Sequence, residues 1–242
     1  MNEKKIALIT GANKGIGFET ARQLGQQDFT VLVGARDETK GAAAVEKLKG
    51  EGFDADFIKL DATDAETISF AAQLVGEKYG KLDVLINNAG IALDGGEKPS
   101  DVSQDLLRQT FDTNFFGVIA VTQAFLPLVK KSAAGRIVNV SSGLGSLAQN
   151  SDPNWVFYQV KPLAYNSSKT ALNAFTVILA HELKDTNIKV NSADPGFTAT
   201  DLNGHRGTKT VAEGASIITR LATLDEAGAT GGYFDDQGVV PW

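Results

Sequence analysis

Tyr165 and Lys169 stand four residues apart in the run Tyr165-Asn166-Ser167-Ser168-Lys169. On a helix this spacing puts both side chains on one face, about one turn apart. A nearby ammonium favours phenolate over phenol and lowers a tyrosine pKa from about 10 toward working pH. A tyrosine tuned in this way can give a proton to a developing alkoxide or take one from an alcohol. On an ordinary helix the same pair is a half-buried Tyr beside a solvated Lys. Its meaning depends on what the rest of the chain brings to it.

A second candidate is the segment Gly11-Ala12-Asn13-Lys14-Gly15-Ile16-Gly17, which follows the apolar run Ile6 to Ile9 and opens a helical pattern. Glycines let a backbone turn sharply and approach a pyrophosphate, and a helix N-terminus offers free N–H groups and a positive dipole end. The same glycines also suit a tight strand-to-helix turn. Ala35 and Arg36 end the next apolar run, with Asp37 after them. An acid at that corner accepts from a ribose 2′-hydroxyl, and a cation accommodates a 2′-phosphate. Lys14 and Arg36 together therefore favour NADP over NAD, or are two solvated turn residues. Asp61 suits the adenine amino group or a cap on the helix that follows.

Seven apolar runs supply the strands that would hold these groups: Ile6 to Ile9, Phe29 to Val33, Ala55 to Leu60, Leu82 to Ile86, Arg136 to Val140, Ile188 to Ser192 and Gly232 to Phe234. Helical patterns separate them at about 16–25, 38–49 (Ala42, Val45 and Leu48 on one face), 64–79, 103–130, 163–184 and 211–224. This alternation predicts βαβ units and a doubly wound α/β fold on a mostly parallel sheet. Ligands then bind outside the carboxyl ends of the strands, where each polar motif falls. No linker or repeat divides the chain, so residues 1–242 read as one domain. A substrate-side loop and helix follow at about 197–224.

Composition narrows the function. The 242 residues carry a formal net charge of −6 with no block of Lys and Arg, a poor match for a nucleic-acid backbone. There is no Cys and only His181 and His205, which excludes disulfides and thiolate chemistry and disfavours a His-rich metal site. The apolar run after Met1-Asn2-Glu3-Lys4-Lys5 is too short for a signal-peptide core, and no run reads as long enough to span a membrane. A soluble cytoplasmic protein without a membrane partner is the expectation.

Thr10-Gly11-x-x-x-Gly15-x-Gly17, Asn87-Asn88-Ala89-Gly90, Asn114, Ser142, Tyr165-x-x-x-Lys169 and Pro195-Gly196 occur in order over nearly the whole chain. Together they resemble the short-chain dehydrogenase/reductase superfamily. Asn13-Lys14-Gly15-Ile16-Gly17, Ala35-Arg36-Asp37, Pro195-Gly196-Phe197 and Thr200-Asp201 are similar to its NADPH-dependent carbonyl reductase branch. The resemblance implies a Rossmann-type seven-stranded fold and hydride transfer from NADPH to a ketone or aldehyde. In it Tyr165 would be the proton donor, Lys169 would hold the ribose and tune Tyr165, and Ser142 (Ser141 as fallback) would bind the carbonyl. Asn114 would support a water linking Lys169 to solvent, or be buried against a backbone carbonyl. Gly11, Asn13, Lys14, Gly15, Ile16, Gly17 and Arg36 would face the phosphates. Asp61, Ala62, Asn88, Ala89 and Gly90 would face the adenosine side. Pro195, Gly196 and Thr198 would lie toward the nicotinamide end, and Thr200 near the phosphates or the carboxamide.

Twenty-two residues separate Ser142 from Tyr165, more than in many members of that family. An insertion at about 149–162 accompanies monomers in the carbonyl reductase branch, so a monomer is expected. Leu93, Leu144, Trp155, Phe157, Phe197 and Leu202 are the substrate-side candidates, with Trp242 and His205 as further possibilities and His181 as structural. An NAD-linked alcohol, sugar or acyl-thioester dehydrogenase on the same fold is the alternative. An inactive dinucleotide sensor is more remote, because Asn114, Ser142, Tyr165 and Lys169 are all present.

Overall fold

A computed structural model describes residues 4–242. Met1 to Glu3, the start of the segment read against a signal peptide, lie outside the described residues. Strand β1 (Ile6–Thr10) is buried along its whole length. Ala7 and Ile9 join the core on one face of the sheet, Ile6 and Leu8 the core on the other. That is the pattern of a strand covered on both sides, and it explains an apolar run without alternation. Strands β2 (Thr30–Ala35), β3 (Ala55–Lys59), β4 (Val84–Asn87), β5 (Arg136–Val140), β6 (Lys189–Ala193) and β7 (Tyr233–Phe234) complete the sheet. Its order is β3-β2-β1-β4-β5-β6-β7 and every pair is parallel. The expected seven-stranded Rossmann-like sheet is therefore present and parallel throughout. The order reverses between β1 and β4, which opens a crevice beyond their carboxyl ends.

Helices α1 (Gly15–Gly25), α2 (Glu38–Gly50) and α8 (Val211–Ala222) cover one face through Leu24, Leu48, Ile217 and Ile218. The other face is covered by α3 (Ala65–Tyr79), α5 (Gly117–Val129) and α7 (Leu163–Glu182), which the short α6 (Leu147–Ser151) precedes, through Val75, Phe125 and Leu179 among others. Each such side chain stabilises the fold by about 1.5–3 kcal/mol. The buried stripe of α2 is Gly41, Ala44, Val45 and Leu48. Ala42 is exposed, so the expected face was partly misplaced. The Phe57 ring sets this: a Cβ on Gly41 would lie 2.1 Å from it.

The long helix expected over 103–130 is α4 (Gln104–Phe111), a π-helical turn (Asp112–Phe116) and α5 in unbroken succession. At 26 residues this run is long and apolar enough to cross a membrane by length and composition, contrary to expectation. Its buried residues, Val118, Val121, Phe125 and Val129 among them, pack on the sheet as those of a core helix do. The added residue of a π turn shifts the inward face, and Asn114 is turned fully inside.

A ladder of amides and hydroxyls crosses the sheet below the crevice. Asn87 pairs with Asn139, and Asn139 with Ser192, in register. Asn87 Nδ2 donates to Asn139 Oδ1 (2.8 Å), and Asn139 Nδ2 donates to Thr176 Oγ1 (2.8 Å). Ser192 Oγ also donates to Thr176 Oγ1 (2.9 Å).

Candidate active site

A cleft of about 2190 Å³ lies over the carboxyl ends of the strands, and every sequence-predicted site residue except Asn114 and Trp242 lines it. The glycine loop forms its floor on the β1 side. Gly11 and Gly15 have positive φ angles of 64° and 59°, which favour glycine. Helix α1 starts at Gly15 without a side-chain cap, so its first N–H groups remain available to an anion. A Cβ on Gly15 would meet only Thr200 Cγ2, at 3.8 Å, which leaves the approach open. A Cβ on Gly17 would fall 2.4 Å from Asn88 Nδ2 and 2.7 Å from Gly11 O. Replacing Gly17 with alanine is therefore expected to destabilise the fold by about 1–3 kcal/mol, read as a drop in Tm by thermal denaturation. Thr10 ties this loop to the end of β4: its Oγ1 accepts from the N–H groups of Asn88 (2.9 Å) and Ala89 (3.0 Å).

The charges divide unevenly. Arg36 is exposed at the cleft rim, with no carboxylate partner among the described residues. Asp37 accepts from Lys40 N (3.0 Å) as the cap of α2 and does not line the cleft. Lys14, expected to join Arg36, is instead paired across the cleft with Asp201 Oδ2 (2.5 Å). The carboxylate opposite it neutralises the second cation. Asp61 holds Thr63 through its Oδ1, and Asp64 caps α3, so Asp61 is not the cap. Ala62 lies against the start of α5, where a Cβ on Gly117 would come 2.5 Å from Ala62 O.

Tyr165 and Lys169 lie on α7, with the ammonium 5.7 Å from the centre of the phenol ring. Lys169 is 4% exposed and donates to Val140 O (2.8 Å). Burial pushes its pKa down to about 8. Burial likewise pushes the Tyr165 phenol up to about 12, against a lowering by its hydrogen bond with Ser142. The nearby Asp194 carboxylate adds to the rise, so the phenol lies above rather than below its ordinary value. Ser142 opens the turn Gly143–Gly145, and its Oγ accepts from Leu144 N (3.3 Å). Ser141 is buried beneath it. Asn114 bonds both backbone groups of Ile91 (2.8 Å each) and Ser168 Oγ (3.1 Å), the buried role foreseen as its alternative.

The loop after β6 makes the opposite wall. Gly196 has a φ of 71°, and its N–H donates to Asp194 Oδ1 (2.8 Å). Thr198 is nearly buried, with its hydroxyl donating to Pro195 O (3.1 Å), so it stiffens the loop from below. Thr200 faces Gly15. His205 bonds Asp201 Oδ1 (2.8 Å) and completes a Lys14–Asp201–His205 span. The insertion supplies an apolar wall. Trp155 meets Phe157 edge-on (5.5 Å between centroids), and Phe157 meets Phe197 in the same way (5.6 Å). Leu93, Leu144 and Leu202 line the same space. Trp242 instead stacks on Tyr233 (5.4 Å) away from the cleft, and His181 lies on the exposed end of α7.

A phenol, a hydroxyl and an ammonium brought together beside a glycine loop suit proton transfer next to a bound dinucleotide. A family model described as short chain dehydrogenase matches residues 5–210. The chain belongs to the short-chain dehydrogenase family. It is 41% identical over 228 residues to a short-chain dehydrogenase of Penicillium roqueforti, covering 91% of this chain and 89% of the relative. It is 33% identical over 288 residues to an NADPH carbonyl reductase of Mus musculus, covering 100% and 99%. An NADPH-bound carbonyl reductase from chicken fatty liver superposes with a TM-score of 0.87 at 28% identity, covering both chains fully. This short-chain dehydrogenase therefore stands close to the carbonyl reductases, and its class is oxidoreductase.

Sequence reasoning passed over Asp94, Asp194 and Lys209, which all line the cleft. Asp194 carries a pKa raised by burial, opposed by the N–H groups of Gly196 and Gly143. Lys209 Nζ is paired with Asp236 (2.7 Å). None sits in a periodic pattern that would single it out.

Proposed function

We propose that this short-chain dehydrogenase reduces bulky apolar ketones or aldehydes to alcohols with NADPH. The observation that carries the reading is the convergence of the Tyr165 phenol, the Ser142 hydroxyl and the buried Lys169 ammonium on one cleft floor. A bound NADPH supplies the hydride for the carbonyl carbon. Tyr165 donates its phenolic proton to the carbonyl oxygen. With a pKa near 12 it is fully protonated at neutral pH, the form that reduction requires. Ser142 donates a hydrogen bond to the same oxygen as charge develops there. Lys169 would hold the ribose hydroxyls, with Gly90 leaving room beside the ammonium: a Cβ there would come 3.5 Å from Nζ. The uncapped start of α1 would receive the pyrophosphate, and Arg36 the 2′-phosphate. The aromatic wall of Trp155, Phe157 and Phe197 would bind the apolar body of the substrate. The NADPH carbonyl reductase among its relatives supports the same reading.

The pairing of Lys14 with Asp201 favours a second reading, in which NADH is also accepted, because among the described residues Arg36 alone remains an unpaired cation at the 2′ corner. Oxidation of NADPH and NADH, followed by absorbance against cyclic ketones, aromatic aldehydes and quinones, tests both. Arg36→Ala is expected to raise the KM for NADPH roughly tenfold to a hundredfold and to leave that for NADH unchanged. Equal use of the two cofactors by the unaltered enzyme would overturn the NADPH reading.

A further inference from the structure

Helix α7 carries the proton donor in its first turn, yet the residue before it contributes no cap. Pro162 has no side-chain acceptor, and its backbone is extended. The first N–H groups of a helix have no partner within the helix and need one from elsewhere. Here the partner is Asp94, seventy residues earlier in the chain, on the loop after β4. Its Oδ2 accepts from Ala164 N (2.8 Å) and its Oδ1 from Tyr165 N (3.0 Å). The second of these bonds lands on the backbone of the proposed acid itself. A carboxylate at a helix N-terminus is also favoured by the helix dipole.

The loop bearing Asp94 is held at a second point. Ile91 is fixed through both backbone groups by Asn114, and Asn114 also reaches Ser168 on α7. Residues 91–94 are thus stapled to the π turn at one end and to the start of α7 at the other. The segment just before, Asn88-Ala89-Gly90, lines the cleft, and Leu93 between the two staples does so too.

We propose that Asp94 is the positioning residue for the proton donor: its carboxylate fixes the first turn of α7 and so sets the distance and angle at which Tyr165 meets the carbonyl oxygen. This rests on the reading of Tyr165 as the acid. Asp94 touches no reacting atom, so its removal leaves cofactor binding intact and slows the chemical step. Small displacements of a reacting group lower rates by about two orders of magnitude.

Asp94→Ala is expected to lower kcat for ketone reduction roughly 10- to 100-fold. NADPH affinity, measured by fluorescence titration, should stay within about twofold of the unaltered enzyme, since no cofactor contact is lost. Asp94→Asn keeps one acceptor oxygen and is expected to recover most of the rate. It also carries the comparison should the alanine variant fail to fold. In a Tyr165→Phe background, Asp94→Ala should cause little further loss, because the two changes act through one group. A full additional loss in that background, an unchanged kcat in Asp94→Ala, or an asparagine variant no faster than alanine would each overturn the proposal. Undiminished reduction by Tyr165→Phe alone would overturn the reading beneath it, and the rate of that variant tells the two failures apart.

Discussion

Tyr165→Phe is expected to lower kcat/KM for ketone reduction by about 10²- to 10⁴-fold, the range that a positioned general acid contributes. The change removes one oxygen from a side chain that lines the cleft and leaves the ring in place. The phenol's partner is Ser142 on the cleft floor, so the substitution costs one hydrogen bond at the cleft and leaves the ring's packing in place. NADPH affinity and Tm should therefore stay near those of the unaltered enzyme. Single-turnover absorbance of bound NADPH isolates the chemical step from product release. Retention of the full single-turnover rate would sink the assignment of Tyr165 as proton donor.

Lys169→Met is expected to abolish reduction and yet raise Tm at neutral pH. The residue is 4% exposed, and its ammonium has one carbonyl partner at 2.8 Å. Burial lowers its pKa from 10.5 to about 8. At about 1.4 kcal/mol per unit, that shift corresponds to a destabilisation of roughly 3 kcal/mol. The sign follows from linkage: in this window the unfolded chain holds the proton more tightly than the folded one. The destabilisation is fully present below about pH 8 and is relieved as pH rises toward 10.5. Methionine fills a similar volume without a charge. The variant should melt several degrees higher at pH 7, at about 2–4 °C per kcal/mol for a chain of this size, and the gap should close by pH 10. A variant that melts lower, or a gap that does not change with pH, would contradict a functional cation kept at the expense of stability.

The parts of this molecule legible in its sequence are those whose physics is local. Ile6 to Ile9 reads as a strand because both faces are apolar, and Asp64 reads as a cap because its partners are two and three residues away. The glycine loop, Tyr165 and Lys169 could be placed because their spacing carries the chemistry. What escaped depends on partners far along the chain. Lys14 looked free until the fold brought Asp201 to it, 187 positions later. Asp94 lay in a Gly- and Asp-rich loop with nothing nearby to mark it as the cap of a distant helix. The rise in the Tyr165 pKa depends on the surroundings of the phenol and on Asp194 far along the chain, neither of which helical spacing reports.

The ladder from Asn87 through Asn139 and Thr176 to Ser192 has a consequence for how the chain finds its fold. A parallel sheet joins segments far apart in sequence, and it forms slowly for that reason. Apolar strands buried on both faces offer little to tell one alignment from the next. Were β5 to slip by one residue, Val138 or Val140 would stand opposite Asn87. The Asn139 amide would then lose both its partners, and Asn87 Nδ2 would keep only Thr122 Oγ1 in the dry interior. Each orphaned group costs about 1–3 kcal/mol. The ladder thus works as a key cut across three strands, rejecting misaligned sheets before the cleft above them can form.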